Sequence, residues 1–149
     1  MIQALAPSGA TETADNEAHH VLRDVADRWN MAARTWDVEA LTALYTPDVV
    51  MYGGRPGMSI GHDGMRRYFA SYTGLLASTR LELRDQVMIA LAPKVYLAQG
   101  YGDFSFVLTS GKRSGTTMRT TWILVERAGQ WKILQHHFST TPEQPPIPQ

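Results

Sequence analysis

The chain has 149 residues and no cysteine, and its 14 lysine and arginine residues balance 14 aspartate and glutamate residues. This length fits one domain, the missing cysteines exclude disulfide scaffolds and cysteine nucleophiles, and the zero net charge argues against binding to nucleic acid or an anionic membrane. Since no apolar stretch is long enough to span a membrane and the start lacks a basic signal-peptide region, we expect a cytoplasmic protein.

Three helices are predicted in the first half of the chain. Apolar residues recur every three or four positions from Ala18 to Trp36, which is typical of an amphipathic helix. Asp37 can cap a second, short helix that Pro47 stops. After a short β-prone run at 49–52, the apolar spacing in 61–72 predicts a third helix.

From Thr79 onward the apolar period falls to two, which predicts strands. Tight turns divide this part of the chain into four long segments, beginning near residues 79, 95, 116 and 130. Helices followed by an antiparallel meander indicate an α+β fold, in which the helices pack on one face of a curved sheet.

Both ends of the chain lack a periodic apolar face. We therefore expect a flexible tail over 1–13, one domain over 14–140 and a second tail over 141–149, which contains four prolines.

The last hairpin is predicted to turn over Glu126 to Gln130, with Gly129 in a bulge and with Glu126 opposite Gln130. This register places Trp122, Met118, His136 and Phe138 on one face of the sheet. A two-residue turn would shift the register by one residue.

The opposite face of this hairpin is also largely apolar, so it needs a cover. We expect a homodimer through this outer sheet face, which would bury the following residues: Arg119, Thr121, Ile123, Ile133 and His137.

Three motifs together carry a resemblance to a known family. They are DVEALTALYTPD at 37–48, GHDGMRRYF at 61–69 and the closing run GQWKILQHHFST at 129–140. Over roughly residues 15 to 140 the chain resembles the SnoaL-like branch of the nuclear transport factor 2 superfamily. The resemblance implies a cone-shaped sheet wrapped around a long N-terminal helix, a pocket at the wide end and dimers through the outer face. The family includes steroid isomerases, polyketide cyclases, epoxide hydrolases, dehydratases and members that only bind or assemble.

Asp103 and His136 are the candidate catalytic residues. Asp103 shares a strand face with Tyr101, and if that face lines the pocket its carboxylate can act as acid or base. His136, on the face of Trp122 and Phe138, can shuttle a proton near neutral pH. The alternatives are that Asp103 faces water or forms a salt bridge at a bulge, and that His136 is a core histidine bonded to a backbone carbonyl.

The candidate substrate-binding residues are mostly aromatic: Tyr101, Trp122, Tyr52, Trp29, Phe138 and Met118. For Trp29 and Tyr52 the alternative is a simple core role. The closing run is also similar to the association domain of calcium/calmodulin-dependent protein kinase II. By that similarity, Tyr101, Trp122 and Phe138 stand where that domain has three pocket arginines. The difference at all three positions favours a neutral or aromatic ligand over a carboxylate.

We expect no cofactor. We also expect no metal, because the adjacent His19 and His20 diverge by about 100° on a helix and have no third ligand at a useful spacing. The function we expect is that of an isomerase, cyclase or dehydratase acting by proton transfer on a mainly apolar small molecule. The alternative is a non-catalytic ligand-binding or assembly domain, which the absence of two convergent carboxylates favours.

Overall fold

The computed structural model of the protein describes residues 9–148, and their side chains from residue 14 onward. Three helices and six strands make up the fold: α1 Gly9–Ala33, α2 Val38–Ala43, β1 Tyr45–Tyr52, β2 Met58–Ile60, α3 Gly61–Ala70, β3 Leu76–Ala92, β4 Val95–Leu108, β5 Arg113–Arg127 and β6 Gln130–Thr140. The strands form one curved, unclosed sheet in the order β2-β1-β6-β5-β4-β3. This confirms the predicted α+β architecture.

All neighbouring strands are antiparallel except β1 and β6, which run parallel. The helix α1 begins at Gly9, inside the segment 1–13 that the sequence assigns to a tail, and residues 1–8 lie outside the described residues. In the described part of the chain, no helix is both long and apolar enough to cross a membrane.

The helix α1 packs its apolar stripe against the inner face of the sheet. Val25 and Trp29 on this stripe are buried, as an amphipathic helix requires. The side chain of Asn30 accepts a hydrogen bond from the backbone N–H of Leu81 at 2.7 Å and donates one to its carbonyl oxygen at 2.8 Å. This amide pairs with the outer edge of β3, and so holds α1 at a fixed position across the sheet.

The predicted cap of the second helix is confirmed. The Asp37 side chain accepts a hydrogen bond from the backbone N–H of Ala40 at 3.0 Å, which satisfies one of the free donors of the first turn.

Gly100 decides which face of β4 turns inward. A Cβ atom on Gly100 would lie 2.7 Å from the carbonyl oxygen of Asp85 and 2.8 Å from that of Arg84. Asp85 has a φ of +54° at a bulge in β3. The close approach at this bulge leaves no room for a side chain, so Gly100, Gly102 and Phe104 take the inner face and the polar residues between them take the outer one.

The last hairpin differs from the predicted register. Ala128 and Gly129 both have positive φ, which makes a two-residue turn and pairs Arg127 with Gln130. A bulge at Leu134 then shifts the pairing once more, so that Trp122 lies opposite His136. Because the total shift is two residues, the predicted face of these two side chains is retained.

Ile133 is the residue that this bulge moves. It pairs with Leu124, is fully buried and donates its backbone N–H to the carbonyl oxygen of Leu44 at 2.9 Å. The prediction that Ile133 lies on the outer face is therefore wrong.

Candidate functional site

A cavity of about 580 Å³ lies between the helices and the inner face of the sheet. This volume is in the range of small-molecule sites. Ten of the described residues that line it are aromatic, counting histidine: Trp29, Trp36, Tyr45, Tyr68, Phe69, Tyr72, Phe104, Phe106, His136 and Phe138. Aspartate, glutamate, lysine and arginine are absent from this described lining.

The cavity has a closed end and an open end. Tyr45 and His136 lie at the closed end and are fully buried. Thr109, Ser110 and Ser114, which lie around the turn between β4 and β5, are exposed and also line the cavity. A molecule inside therefore meets aromatic rings in the interior and hydroxyl groups where the cavity meets solvent.

Four of the residues predicted from the sequence line this cavity. They are Trp29 on α1, Met118 on β5, and His136 and Phe138 on β6. The ring centroids of His136 and Phe138 are 4.6 Å apart, so the two rings form one continuous piece of wall.

Trp122 and Tyr52 do not line the cavity, contrary to prediction. Trp122 is buried behind His136, and its ring meets the imidazole edge-on at 5.2 Å. Tyr52 is 47% exposed on the outer face, where its ring lies 5.4 Å from that of His137. In the parallel pairing of β1 with β6, Tyr52 lies directly opposite His137. Paired residues on adjacent strands point to the same face, so both side chains lie on the outer face.

Asp103 and Tyr101 also lie on the outer face, so the prediction that Asp103 lines the cavity is wrong. The Asp103 carboxylate accepts hydrogen bonds from the Thr117 hydroxyl and from Arg84 Nε, the latter at 2.9 Å. Both bonds lower the pKa of Asp103, and the bond from Thr117 has the larger effect. The Arg84 guanidinium also lies over the Tyr101 ring at 5.0 Å. The alternative of a salt-bridged aspartate beside a bulge is the one observed.

A chain of hydrogen bonds connects three residues at the closed end. Trp29 Nε1 donates to the Tyr45 hydroxyl oxygen at 3.2 Å, and that oxygen lies 2.9 Å from His136 Nδ1. The Tyr45 and His136 rings are stacked, with an angle of 12° between their planes. Residues from α1, β1 and β6 therefore meet at one point.

Burial sets the protonation states of these groups. It lowers the pKa of His136 to about 3 and raises the pKa of Tyr45 and of Tyr68 well above the ordinary value. At neutral pH the imidazole is uncharged and both tyrosines keep their protons. A ring that stays neutral does not fit the proton shuttle near neutral pH predicted for His136.

Tyr45, Phe104 and Phe106 line the cavity but are not among the residues predicted from the sequence. A signal for the two phenylalanines was present, because they alternate with the polar residues of β4 and so mark its inner face. No local pattern marks Tyr45, since it reaches His136 only through the parallel pairing of β1 with β6.

The SnoaL-like domain family matches residues 22–143. Among curated proteins, none matches the chain. Among the described residues, no group of three histidine, aspartate or glutamate side chains is placed to hold a metal ion.

Solved structures share the fold. A putative calcium/calmodulin-dependent protein kinase II association domain from Xanthomonas campestris is 23% identical, with a TM-score of 0.75 over 83% of this chain and 87% of that one. A putative scytalone dehydratase from Novosphingobium aromaticivorans is 15% identical, with a TM-score of 0.71 over 89% and 88%. A nuclear transport factor 2-like superfamily protein from Salmonella enterica is also 15% identical, with a TM-score of 0.73 over 89% and 96%. At these identities the similarity shows the fold alone.

Proposed function

The chain belongs to the SnoaL-like domain family, and we propose that it binds a small, mainly apolar organic molecule in its aromatic cavity. The observation that carries this proposal is the cavity of about 580 Å³ with aromatic walls and no charged side chain in its described lining. Burying apolar ligand surface there is favourable by roughly 25 cal/mol per Å². A charged ligand would lose its hydration without gaining a charged partner.

Of the two functions that the sequence leaves open, these features support ligand binding rather than proton transfer through Asp103 and His136. The Asp103 carboxylate is on the far side of the sheet, bonded to Arg84 and Thr117. His136 is neutral at physiological pH because of its burial. Dehydration, the activity named for the Novosphingobium aromaticivorans protein, would require a general base. The imidazole of His136 is a weak base in this cavity, because burial lowers its pKa to about 3.

Equilibrium dialysis with fluorene tests the proposal. Fluorene is a rigid aromatic hydrocarbon that needs no polar partner. The test variant is Leu108→Glu, because Leu108 is half-buried and lines the cavity near its open end. When fluorene binds beside the new glutamate, the carboxylate loses part of its hydration, which costs several kcal/mol. We therefore expect fluorene affinity to fall at least about tenfold.

The matched control is Val107→Glu. Val107 precedes Leu108 in β4, is also half-buried, and points to the opposite face of the sheet. It should leave fluorene affinity unchanged. Absence of fluorene binding to the unmodified protein, or equal effects of the two substitutions, would refute the proposal.

We further propose that the outer sheet face forms a homodimer. A row of directly paired residues crosses all six strands on this face: Ile60, Val50, Gln135, Ile123, Leu97 and Ile89. All of them except Gln135 are apolar, and Ile60, Val50 and Ile89 are exposed, Ile89 to 50%. Monomeric proteins rarely expose large contiguous apolar patches, and a second copy related by a two-fold axis supplies a cover of the same chemistry.

Arg119, Thr121 and His137 lie on this same face and remain in the proposed interface, whereas the buried Ile133 does not. Sedimentation at micromolar concentration tests the dimer. Ile123→Asp should give a monomer, while Met31→Asp, at an apolar residue that is 69% exposed on α1, should not. A monomeric unmodified protein would contradict the proposal.

A further inference from the structure

We infer that the molecule bound in the cavity presents a neutral hydrogen-bond acceptor, of the ketone carbonyl type, to the Nε2–H of His136. This inference rests on the proposed ligand-binding function and narrows it to a ligand class. It follows from the direction of the hydrogen bonds that join Trp29, Tyr45 and His136.

The direction of each bond in this chain is determined by what each group can do. An indole nitrogen only donates, so the Tyr45 oxygen accepts from Trp29 Nε1 at 3.2 Å. The single hydroxyl hydrogen of Tyr45 is then free for His136 Nδ1 at 2.9 Å. When Nδ1 accepts, the neutral imidazole carries its proton on Nε2.

The other tautomer leaves more groups without partners. With the proton on Nδ1, the Tyr45 oxygen would accept both bonds, and its own hydrogen and the Nε2 lone pair would have no described partner. With the proton on Nε2, the Nε2–H is the one group in this chain of hydrogen bonds that has no partner. Each unpaired buried group costs about 1–3 kcal/mol, so the tautomer with its proton on Nε2 is the more stable one.

The Nε2–H has no hydrogen-bond acceptor among the described residues, although His136 is fully buried. The imidazole is flanked by the rings of Trp122 and Phe138, at 5.2 and 4.6 Å, and neither ring offers a conventional acceptor. His136 belongs to the cavity wall, but almost no surface of its Nε2 atom is exposed, so a ligand carbonyl completes its hydrogen bonding by entering between the neighbouring rings.

This arrangement selects for the polarity of the ligand. With its proton on Nε2, the ring has no lone pair there and does not accept from an amine or hydroxyl hydrogen. A carboxylate ligand would accept, but its charge would have no countercharge in the described lining. A neutral carbonyl oxygen meets both conditions.

A thermodynamic cycle with two probes tests this preference. Fluorene and 9-fluorenone share one rigid tricyclic frame, and the second carries a carbonyl group. Dissociation constants of both are measured for the unmodified protein, for His136→Phe, and for the control His20→Phe at an exposed position of α1. Comparing the ratio of the two constants between proteins cancels the difference in hydration between the probes.

One neutral hydrogen bond contributes about 0.5–1.5 kcal/mol. We therefore expect His136→Phe to reduce the preference for 9-fluorenone about twofold to thirteenfold, and His20→Phe to leave it unchanged. If both probes bind and the ratio is the same in all three proteins, the inference is wrong while the proposed binding function stands. If neither probe binds the unmodified protein, both fail.

A second measurement needs no His136 variant. Nitrogen-15 spectra of the unmodified protein should show the His136 proton on Nε2, and Tyr45→Phe, which removes the partner of Nδ1, should weaken that preference. A proton on Nδ1 in the unmodified protein would overturn the inference.

Discussion

Acidification should destabilise this protein through His136. Burial lowers the pKa of the ring from 6.5 to about 3. Below pH 6.5 the unfolded chain takes up a proton at this position, whereas the folded chain does not until about pH 3. The unfolded state therefore binds more protons throughout this window, and the free energy of unfolding falls as the pH is lowered through it. At 1.36 kcal/mol per pH unit, lowering the pH from 6.5 to 4 removes about 3 kcal/mol.

Such a loss is a large share of the roughly 5–15 kcal/mol that stabilises a typical domain. Urea unfolding of the unmodified protein and of His136→Phe, each at pH 7 and pH 4, measures it. Asp48, whose pKa is lowered to about 2 by its bond from Arg127, and Asp103 also lose stabilising interactions in acid. Because both proteins contain these carboxylates, the difference between the two pH dependences isolates His136. We expect the unmodified protein to lose about 3 kcal/mol more than the variant. Equal losses would refute the reasoning.

Three further substitutions test the architecture around the site. Asp103→Asn should leave fluorene affinity unchanged in dialysis and change stability little, because its ion pair is on the outer face and exposed; a loss of affinity would place Asp103 at the cavity. Gly100→Ala should lower the free energy of unfolding by about 1–3 kcal/mol, measured with urea against Ser105→Ala on the exposed face of the same strand, since the new Cβ meets fixed backbone oxygens. Equal stabilities of these two variants would contradict it. Asn30→Ala should accelerate amide hydrogen exchange at Leu81, because the side chain that pairs with this edge is removed; unchanged exchange would argue against that role.

Local patterns in the sequence were sufficient for the order and type of the main elements. The helical stripe before Trp36, the cap at Asp37 and the alternation after Thr79 each depend on side chains close together in the chain. These patterns, with the closing run at 129–140, led to the α+β fold and to the family. They also placed His136 and Phe138 on the inner face of the sheet, which the structure shows.

The candidate site was harder to predict because its residues meet only through long-range pairing. The close approach of the Asp85 bulge to Gly100 decides which face of β4 lies inward. The alternation of polar residues with glycines in β4 does not show this contact, because Asp85 is in another strand. Asp103 was placed on the wrong face for that reason.

Ile133 and Tyr45 show the same limit. A single extra residue at Leu134 reverses the face on which Ile133 lies. The alternation of apolar and polar residues in the sequence does not show where such a bulge occurs. Tyr45 reaches His136, which lies 91 residues further along the chain, because β1 pairs in parallel with β6. The amino-acid sequence determined which groups were available, but bulges and strand pairing decided which of them share the cavity, because both depend on contacts between segments that are distant in sequence.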